Sequence, residues 1–403
     1  MKIKAYDIAV IGGGLAGLTQ SILLANQGWR VVCVDRENAD IQTDEKYDIR
    51  TTAVSWGSRN LLKNAGVWED LENKAEVIKD ILILDEDSPI ELEFNADDIH
   101  AEGFGWIVDN RDLRMTLIRM VQNHNNITHL TGQSVTDFEN QGDAVTVTLK
   151  DTEKFQARLI IGADGRKSVT REWMEIKTFE KDYKQSAIVC LITHTKPHDG
   201  LALEHFRTQG PFAVLPFTRN DKGHYRSAVV WTVARDEVQQ WCECNDDVFN
   251  AALQTRCGDL YGDVTLTGGR VAWPLSLTKA KSYIGDRMVL VAEAAHGMHP
   301  IAGQGLNMSF RDIAALTEIL ESVKDPGASD LLKRYQSTRR ADNIGMVAAT
   351  DILNELFGID FFAVRAARRF GLHAVAKLPF AKNFFMKQAM GAVGHLPKII
   401  KNV

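Results

Sequence analysis

Three glycine-rich stretches carry most of the chemistry that the amino-acid sequence offers. Gly12-Gly13-Gly14-Leu15-Ala16-Gly17 has the spacing G-x-G-x-x-G directly after an apolar run, Asp7 to Ile11, that reads as a buried strand. Each glycine has a separate reason to be there: Gly12 allows a tight turn, Gly14 lets backbone approach a pyrophosphate, and Gly17 lets helix and strand pack closely. Leu15 and Ala16 open a helix whose unpaired N-terminal amides face the anion. Asp35, with Arg36 beside it, ends the next strand at the distance expected of an acceptor for an adenosine ribose. The combination predicts a dinucleotide site and does not by itself separate FAD from NAD.

The second stretch, Gly162-Ala163-Asp164-Gly165-Arg166-Lys167-Ser168, follows an apolar strand, Leu159 to Ile161. The third runs from Val291-Ala292-Glu293-Ala294-Ala295-His296 through Pro300-Ile301-Ala302-Gly303-Gln304-Gly305-Leu306-Asn307, after the strand Met288 to Leu290. His296 and His299 give H-x-x-H without a third ligand, so they read as hydrogen-bonding histidines and no metal site is expected. His194 and His198, in a Thr/Lys/Pro-rich stretch, read as solvated loop residues. Five scattered cysteines (Cys33, Cys190, Cys242, Cys244, Cys257) form neither a disulfide framework nor a paired C-x-x-C site, which fits a reducing cytoplasm.

The elements that must position these stretches follow from periodicity. Leu15 to Gln27 reads as a helix closed by Gly28, and Val31 to Val34 as the next strand, so the chain opens β-α-β. Ser134 to Phe138, Ala144 to Leu149 and Phe155 to Ile161 predict a three-strand meander. Ile81 to Leu84 and Ile90 to Phe94 predict a hairpin belonging to another sheet. Ile188 to Thr193, Leu203 to Phe206, Phe212 to Phe217 and Ser227 to Val233 predict a mostly antiparallel unit. Helical spacing begins at Asn307 to Val323 and continues through Leu331 to Leu356 and Phe361 to Phe370.

The three stretches, in this order, resemble the glycine, D-G and G-D motifs of class A flavoprotein monooxygenases. His299-Pro300-Ile301-Ala302-Gly303-Gln304-Gly305-Leu306-Asn307 resembles the ubiquinone-biosynthesis hydroxylases within that class, and the likeness covers about residues 5 to 400. The blocks Asp48 to Ser55, Asn110 to Arg114 and Gly210 to Pro216 are similar to family blocks as well. The resemblance implies an α/β fold: a Rossmann-type FAD-binding domain (1–72, 102–180 and 272–340), a mostly antiparallel β-sheet substrate domain (73–101 and 181–271) and a C-terminal helical region (341–403).

It also implies roles. Arg50 and Asn110 lie along the ADP portion of FAD, Asp164 touches the flavin and nicotinamide sides through its neighbourhood, Glu293 contacts the ribityl chain, and Arg111 and Gly165 also bind the cofactor. Pro300 walls the isoalloxazine, and the turn Gly303-Gln304-Gly305, with Leu306 and Asn307, brings amides and a positive helix end to the flavin's pyrimidine edge. The family usually has Gly-Asp where this chain has Ala292-Glu293, so a longer carboxylate must reach from a slightly retracted backbone. The implied reaction hydroxylates the ring of a polyprenylated phenol: NAD(P)H reduces FAD, dioxygen adds at flavin C4a, and the hydroperoxide delivers oxygen. Two alternatives stay open, a hydroxylase of a soluble aromatic and a non-catalytic FAD-binding subunit of a quinone-biosynthesis complex.

Length and charge set outer limits. At 403 residues the chain exceeds what one core organises. A net charge of −6 gives no reason to expect nucleic acid. No apolar run reaches the ~18 to 20 residues that span a bilayer, and the N-terminus is too short and glycine-broken for a signal peptide. After Asp360, however, Arg365, Arg368, Arg369, Lys377, Lys382, Lys387, Lys398 and Lys401 meet no acid, leaving the tail net +8 and the remainder −14. Interleaved with Phe361, Phe362, Phe370, Leu372, Leu378, Phe380, Phe384, Phe385 and Met386, this composition suits an anionic membrane surface. A cytoplasmic protein, peripheral at the inner face of the membrane, is the expectation.

Overall fold

The computed structural model describes residues 3–44, 47–298, 303–358, 361–392, 394 and 396–401. Its first sheet runs, in spatial order, through Ile284–Gly285, Met288–Leu290, Lys154–Gly162, Lys4–Ile11, Val31–Val34 and Ile127–Leu130. From Met288–Leu290 onward each pairing along this path is parallel. Apolar runs such as Val31–Val34, buried at all four positions, are what a sheet covered on both faces requires. The hairpin Val135–Asn140/Val145–Leu149 joins the first half of Lys154–Gly162, completing the meander.

Three of the central strands end level, with Ile11 opposite Gly162 and Gly162 opposite Leu290. The three chemically suggestive stretches therefore leave the sheet side by side at its carboxyl edge, where open α/β sheets bind ligands.

A second sheet orders His296–Gly297, Val264–Ala280, Thr178–His194, Tyr225–Ala234, Phe212–Phe217, Leu201–Phe206, Asp80–Asp85 and Leu92–Asn95. Only the contact between Leu201–Phe206 and Asp80–Asp85 is parallel. The Asp80–Asp85/Leu92–Asn95 hairpin thus joins the second sheet, as the sequence suggests. A third sheet of Thr51–Ser55, Gly105–Asp109 and Glu76–Ile78 was not anticipated.

Two strands are far longer than periodicity indicates. Thr178–His194 extends the expected Ile188–Thr193 at both ends, and its partner Val264–Ala280 has no counterpart in the sequence reading. Gly268, Gly269 and Pro274 interrupt that partner's pattern. The register shifts where they occur, because Leu191 pairs with Thr267 but Cys190 with Arg270. Bulges absorb glycine pairs and a residue without an N–H, so the strand continues through them.

His194 corrects another expectation. It ends a paired strand rather than lying in a solvated loop, is 5% exposed, and sits 3.0 Å from Ser227 Oγ and 2.7 Å from Lys196 O. His198 is half-buried, with Nε2 3.1 Å from Phe217 O.

The helical C-terminal part comprises Gln304–Ile319, Ser329–Gly358, Phe362–Lys377 and Pro379–Ala389, the last of which the sequence reading missed. Met386 and Met390 bury against Phe94, Phe104 and Phe217. Arg368 Nη2 meets Asp85 Oδ1 at 2.7 Å with both side chains almost fully buried, so the Phe362–Lys377 helix is fastened to the second sheet. Removing either partner would strand a buried charge at a cost of roughly 3–5 kcal/mol.

Candidate active site

The first glycine turn is built for close approach. A Cβ on Gly12 would meet Ala163 O at 2.4 Å, and one on Gly17 would meet Gly12 O at 1.8 Å. Both positions therefore exclude side chains. Gly14 differs: a Cβ there would meet nothing within 4 Å, so its backbone faces open space at the N-terminus of the Leu15–Asn26 helix. Asp35 fixes the turn, its carboxylate accepting from Gly13 N (2.5 Å) and Glu37 N (2.8 Å). Each oxygen keeps a lone pair for a further donor. Arg36 is exposed, 3.8 Å from Glu37.

Arg50, Asn110 and Arg114 converge on Asp48. Arg50 donates Nε and Nη2 to its two oxygens at 2.7 and 2.8 Å, Asn110 Nδ2 donates at 3.1 Å, and Arg114 Nη2 at 3.1 Å. Burial opposes ionisation of Asp48, yet its donors outweigh it and lower the pKa. The Arg50 guanidinium also lies 4.4 Å from the Trp273 ring centroid, a cation–π contact from the long bulged strand. Arg111 Nε donates to Thr43 O at 2.9 Å, closing the segment that follows Asp35.

The second stretch lies against the first through backbone, since Ala163 N donates to Ile11 O at 2.7 Å. Asp164 is spent locally: it accepts from Ser168 Oγ (2.5 Å), Thr170 N (3.0 Å) and Thr170 Oγ1 (3.1 Å), shaping the loop rather than projecting from it. Gly165, at φ +78°, leaves its outer side open. Arg166 and Arg171 stitch this loop to the third stretch, Arg166 Nε donating to Glu293 Oε1 at 2.9 Å and Arg171 Nη1 to Ala294 O at 2.9 Å. Glu293 is therefore held by a cation while remaining half exposed.

Ala292 occupies the left-handed region at φ +57°, a conformation that favours glycine. Its N–H donates to Asp312 Oδ2 at 3.0 Å, and the same oxygen is 2.5 Å from His296 Nε2. Arg339 Nε donates to Asp312 Oδ1 at 2.8 Å. Burial opposes the charge on Asp312, but His296 and Arg339 outweigh it and hold the carboxyl well below the usual carboxylate range.

Gly303, at φ +62°, caps the Gln304–Ile319 helix. Asn307 locks this turn: Nδ2 donates to Ala53 O (2.8 Å) and Gly303 O (3.2 Å), and Oδ1 accepts from Ser55 N (3.0 Å). Gly305 faces open space, and Leu306 packs on the core. This helix lies beside Leu15–Asn26, with Gln20 and Gln27 both reaching Thr317 near its far end, so the two N-termini point the same way. Pro300 and His299 lie outside the described residues.

The turns at residues 12–17, 162–168 and 303–307 thus gather along one crevice, with two positive helix ends and glycine backbone that a Cβ would fill: a fit for a flavin dinucleotide. Sequence reading missed the Asp48 and Asp312 hubs, whose partners are distant in the chain. A buried acid flanked by apolar residues within a helix, as in Ser309-Phe310-Arg311-Asp312-Ile313, was the available signal. Among the described residues, no group of three or more His, Cys, Asp or Glu is placed to hold a metal ion.

Fold and crevice define a flavin-binding α/β protein, and the sequence matches the family described as "FAD binding domain" over residues 5–350; the chain belongs to that family. It is 38% identical over 395 residues to the ubiquinone hydroxylase UbiL of Rhodospirillum rubrum, covering 97% of this chain and 90% of that protein. It is 29% identical over 397 residues to the 3-demethoxyubiquinol 3-hydroxylase of Escherichia coli, covering 97% of this chain and 100% of that one. The crystal structure of p-nitrophenol 4-monooxygenase PnpA from Pseudomonas putida superposes with a TM-score of 0.78 at 16% identity, covering 98% of this chain and 100% of that chain, and so shares the fold. FAD is the cofactor, and the chain is an FAD-dependent monooxygenase.

Proposed function

We propose that the protein hydroxylates the aromatic ring of a polyprenylated phenol, a ubiquinone precursor, with NAD(P)H as reductant and dioxygen as oxidant. The observation that carries this reading is the level ending of three strands, which sets three cofactor-holding turns side by side opposite an apolar sheet face. Relatives that bear ubiquinone-hydroxylase names over nearly the whole chain supply the substrate class.

When bound, the flavin supplies electron transfer to dioxygen and delivery of one oxygen atom. The protein's residues bind, orient and exclude water. Gly12, Gly14, Leu15, Ala16 and Gly17 present amides to the pyrophosphate. Asp35 and Arg36 face the adenosine ribose, and Arg50, Asn110 and Arg111 line the ADP portion. Asp164 shapes the loop that carries Gly165. Glu293 serves the ribityl chain, and Gly303, Gln304, Gly305, Leu306 and Asn307 the pyrimidine edge. The sheet face bearing Leu191, Leu215 and Phe217 forms a dry wall, which the chemistry needs if activated oxygen is to reach the ring instead of water.

The C-terminal helices make the membrane part of this reading more specific. Phe370 is 75% exposed and Phe380 87%, with Phe384 and Phe385 also exposed on the Pro379–Ala389 helix and Leu378 exposed between it and Phe362–Lys377. Arg368, Arg369 and Lys382 are engaged with Asp85, Asp87 and Asp98, so they belong to the protein's own packing. Lys377 and Lys387 remain exposed beside the aromatics. Such a face suits peripheral contact with an anionic bilayer from which a prenylated substrate is drawn. No described helix is long and apolar enough to cross a membrane.

The test is NAD(P)H oxidation by the purified holoenzyme with a short-chain prenylphenol, followed by mass spectrometry. Substrate-stimulated oxidation with one oxygen atom added to the ring supports the reading. Stimulation by small soluble phenols alone replaces the substrate class. A yellow protein without stimulation by any phenol contradicts catalysis.

A further inference from the structure

Strand Leu201–Phe206 carries one acid, Glu204, in the middle of the second sheet, between Ala213 on one neighbour and Ile83 on the other. Side chains alternate across a sheet. Leu203 packs into the core on one face with Phe212 and Val214, whereas Ala202 and Phe206 face the other side. There Phe206 stacks on Phe357 at 3.8 Å between ring centroids, and Leu372 closes over both. Glu204 shares that side and points into the space between the sheet and the Phe362–Lys377 helix.

That space is apolar and incompletely filled. Ile81, Ile83, Leu191, Leu215, Leu372 and Val375 all face it and all remain only partly buried, although strands and helix enclose them. Glu204 behaves the same way, retaining accessible surface while lying deep in the protein. Surface retained by side chains this deep marks unfilled space beside them. The cavity wall reaches the cofactor crevice, because Ala53 and Trp56 belong to the same cluster and a Cβ on Gly303 would lie 3.1 Å from Ala53 Cβ.

Glu204 makes no hydrogen bond or ion pair with any described residue. The acid nearest on the same face, Asp85, is neutralised by Arg368 at 2.7 Å, with Arg369 at 3.9 Å. Ala213 and Leu215 on the other flank carry no charge. Arg365 and His373 lie on the covering helix, and burial pushes the pKa of the Glu204 carboxyl up to about 7. A carboxyl that titrates near working pH suits proton exchange.

We propose that Glu204 is a catalytic residue that accepts the proton of the substrate's phenol hydroxyl within this cavity, an assignment resting on the phenol hydroxylation proposed above. The phenol O–H bond breaks, the proton moves to the Glu204 carboxylate, and the electron pair stays on the phenolate oxygen. The ring carbon to be hydroxylated becomes more nucleophilic toward the oxygen delivered at the flavin. After transfer the ring is a dienone, and the second oxygen atom of dioxygen leaves as water; the C–H electron pair restores the aromatic ring as that proton passes to solvent, and Glu204 returns its proton to the original oxygen. Both ring and carboxylate are then restored, with dioxygen as oxidant and NAD(P)H as reductant.

The test compares the wild-type holoenzyme with Glu204→Gln and Glu204→Asp, using a short-chain prenylphenol. Glu204→Gln removes a buried charge without changing shape, so folding and FAD content serve as controls. We expect wild-type kcat to rise with pH through about 7, and Glu204→Gln to lose both that limb and ~10²-fold in kcat. Glu204→Asp should recover part of the limb. Prenylphenol binding, followed by perturbation of the flavin spectrum, should tighten as pH rises through about 7 in the wild type only. Glu204→Gln with wild-type kcat and pH profile overturns the proposal while leaving the function intact. Binding that follows Glu204 without ring oxidation supports the cavity assignment and instead removes the hydroxylase reading.

Discussion

The carboxylate of Asp312 accepts the backbone N–H of Ala292 at 3.0 Å, and Ala292 stands at φ +57°. The helix that offers its N-terminus at Gly303 thereby also anchors, two turns on, the turn that displays Glu293. A left-handed alanine is strained by roughly 1–2 kcal/mol, part of which glycine would recover against its own entropy cost. Ala292→Gly should therefore raise unfolding free energy by up to about 1 kcal/mol in a urea titration, without loss of FAD. A clear loss of stability would mean that this turn is not strained.

Asp312→Ala should be severe. Arg339 is fully buried, and stripping its partner costs roughly 3–5 kcal/mol. Because the folded-state pKa of Asp312 is depressed, its contribution to stability is complete above the unfolded carboxylate value, about 3.9. It is lost as pH falls toward the folded value. Asp312→Asn should flatten the fall in unfolding free energy between about pH 5 and pH 3 relative to the wild type. Equal acid sensitivity of the two proteins would contradict the buried pairing.

Asp48→Ala should weaken FAD binding more than Arg50→Ala. Arg50 contributes one side chain, whereas Asp48 orients Arg50, Asn110 and Arg114 together. Loss of one charged hydrogen-bonding group is worth roughly 1.5–3 kcal/mol, so Arg50→Ala should cost about 10- to 100-fold in Kd by flavin-fluorescence titration. The reverse order would show that Asp48 does not organise the cluster.

Phe370→Ser and Phe380→Ser together should reduce pelleting with anionic vesicles by tenfold or more, at roughly 1.5–3 kcal/mol for each buried aromatic. Both are largely exposed, so thermal stability should not change. Pelleting equal to the wild type would show that this face does not meet the bilayer.

What was legible in the sequence is what local chemistry dictates. The first glycine turn, its flanking strands and the acid at Asp35 lie within one short β-α-β unit, where spacing alone fixes geometry. The strand Val264–Ala280 was hidden because its glycines and proline sit at bulges that only a paired neighbour reveals. The hubs at Asp48 and Asp312 were hidden because each acid's partners include residues many positions away, such as Arg114 and Arg339. Glu204 was inconspicuous for a related reason. An acid in a strand reads as solvent-facing until a helix from the far end of the chain covers that face.

One binding measurement reaches the centre of the account, that three turns hold a single FAD along one crevice. Purified apoprotein titrated with FAD should bind one equivalent, and Gly14→Val, which places a branched side chain in the open space at the helix N-terminus, should abolish binding while leaving the far-UV circular dichroism unchanged. A wild-type protein that takes up no flavin, or a folded Gly14→Val variant that binds it normally, would contradict the account.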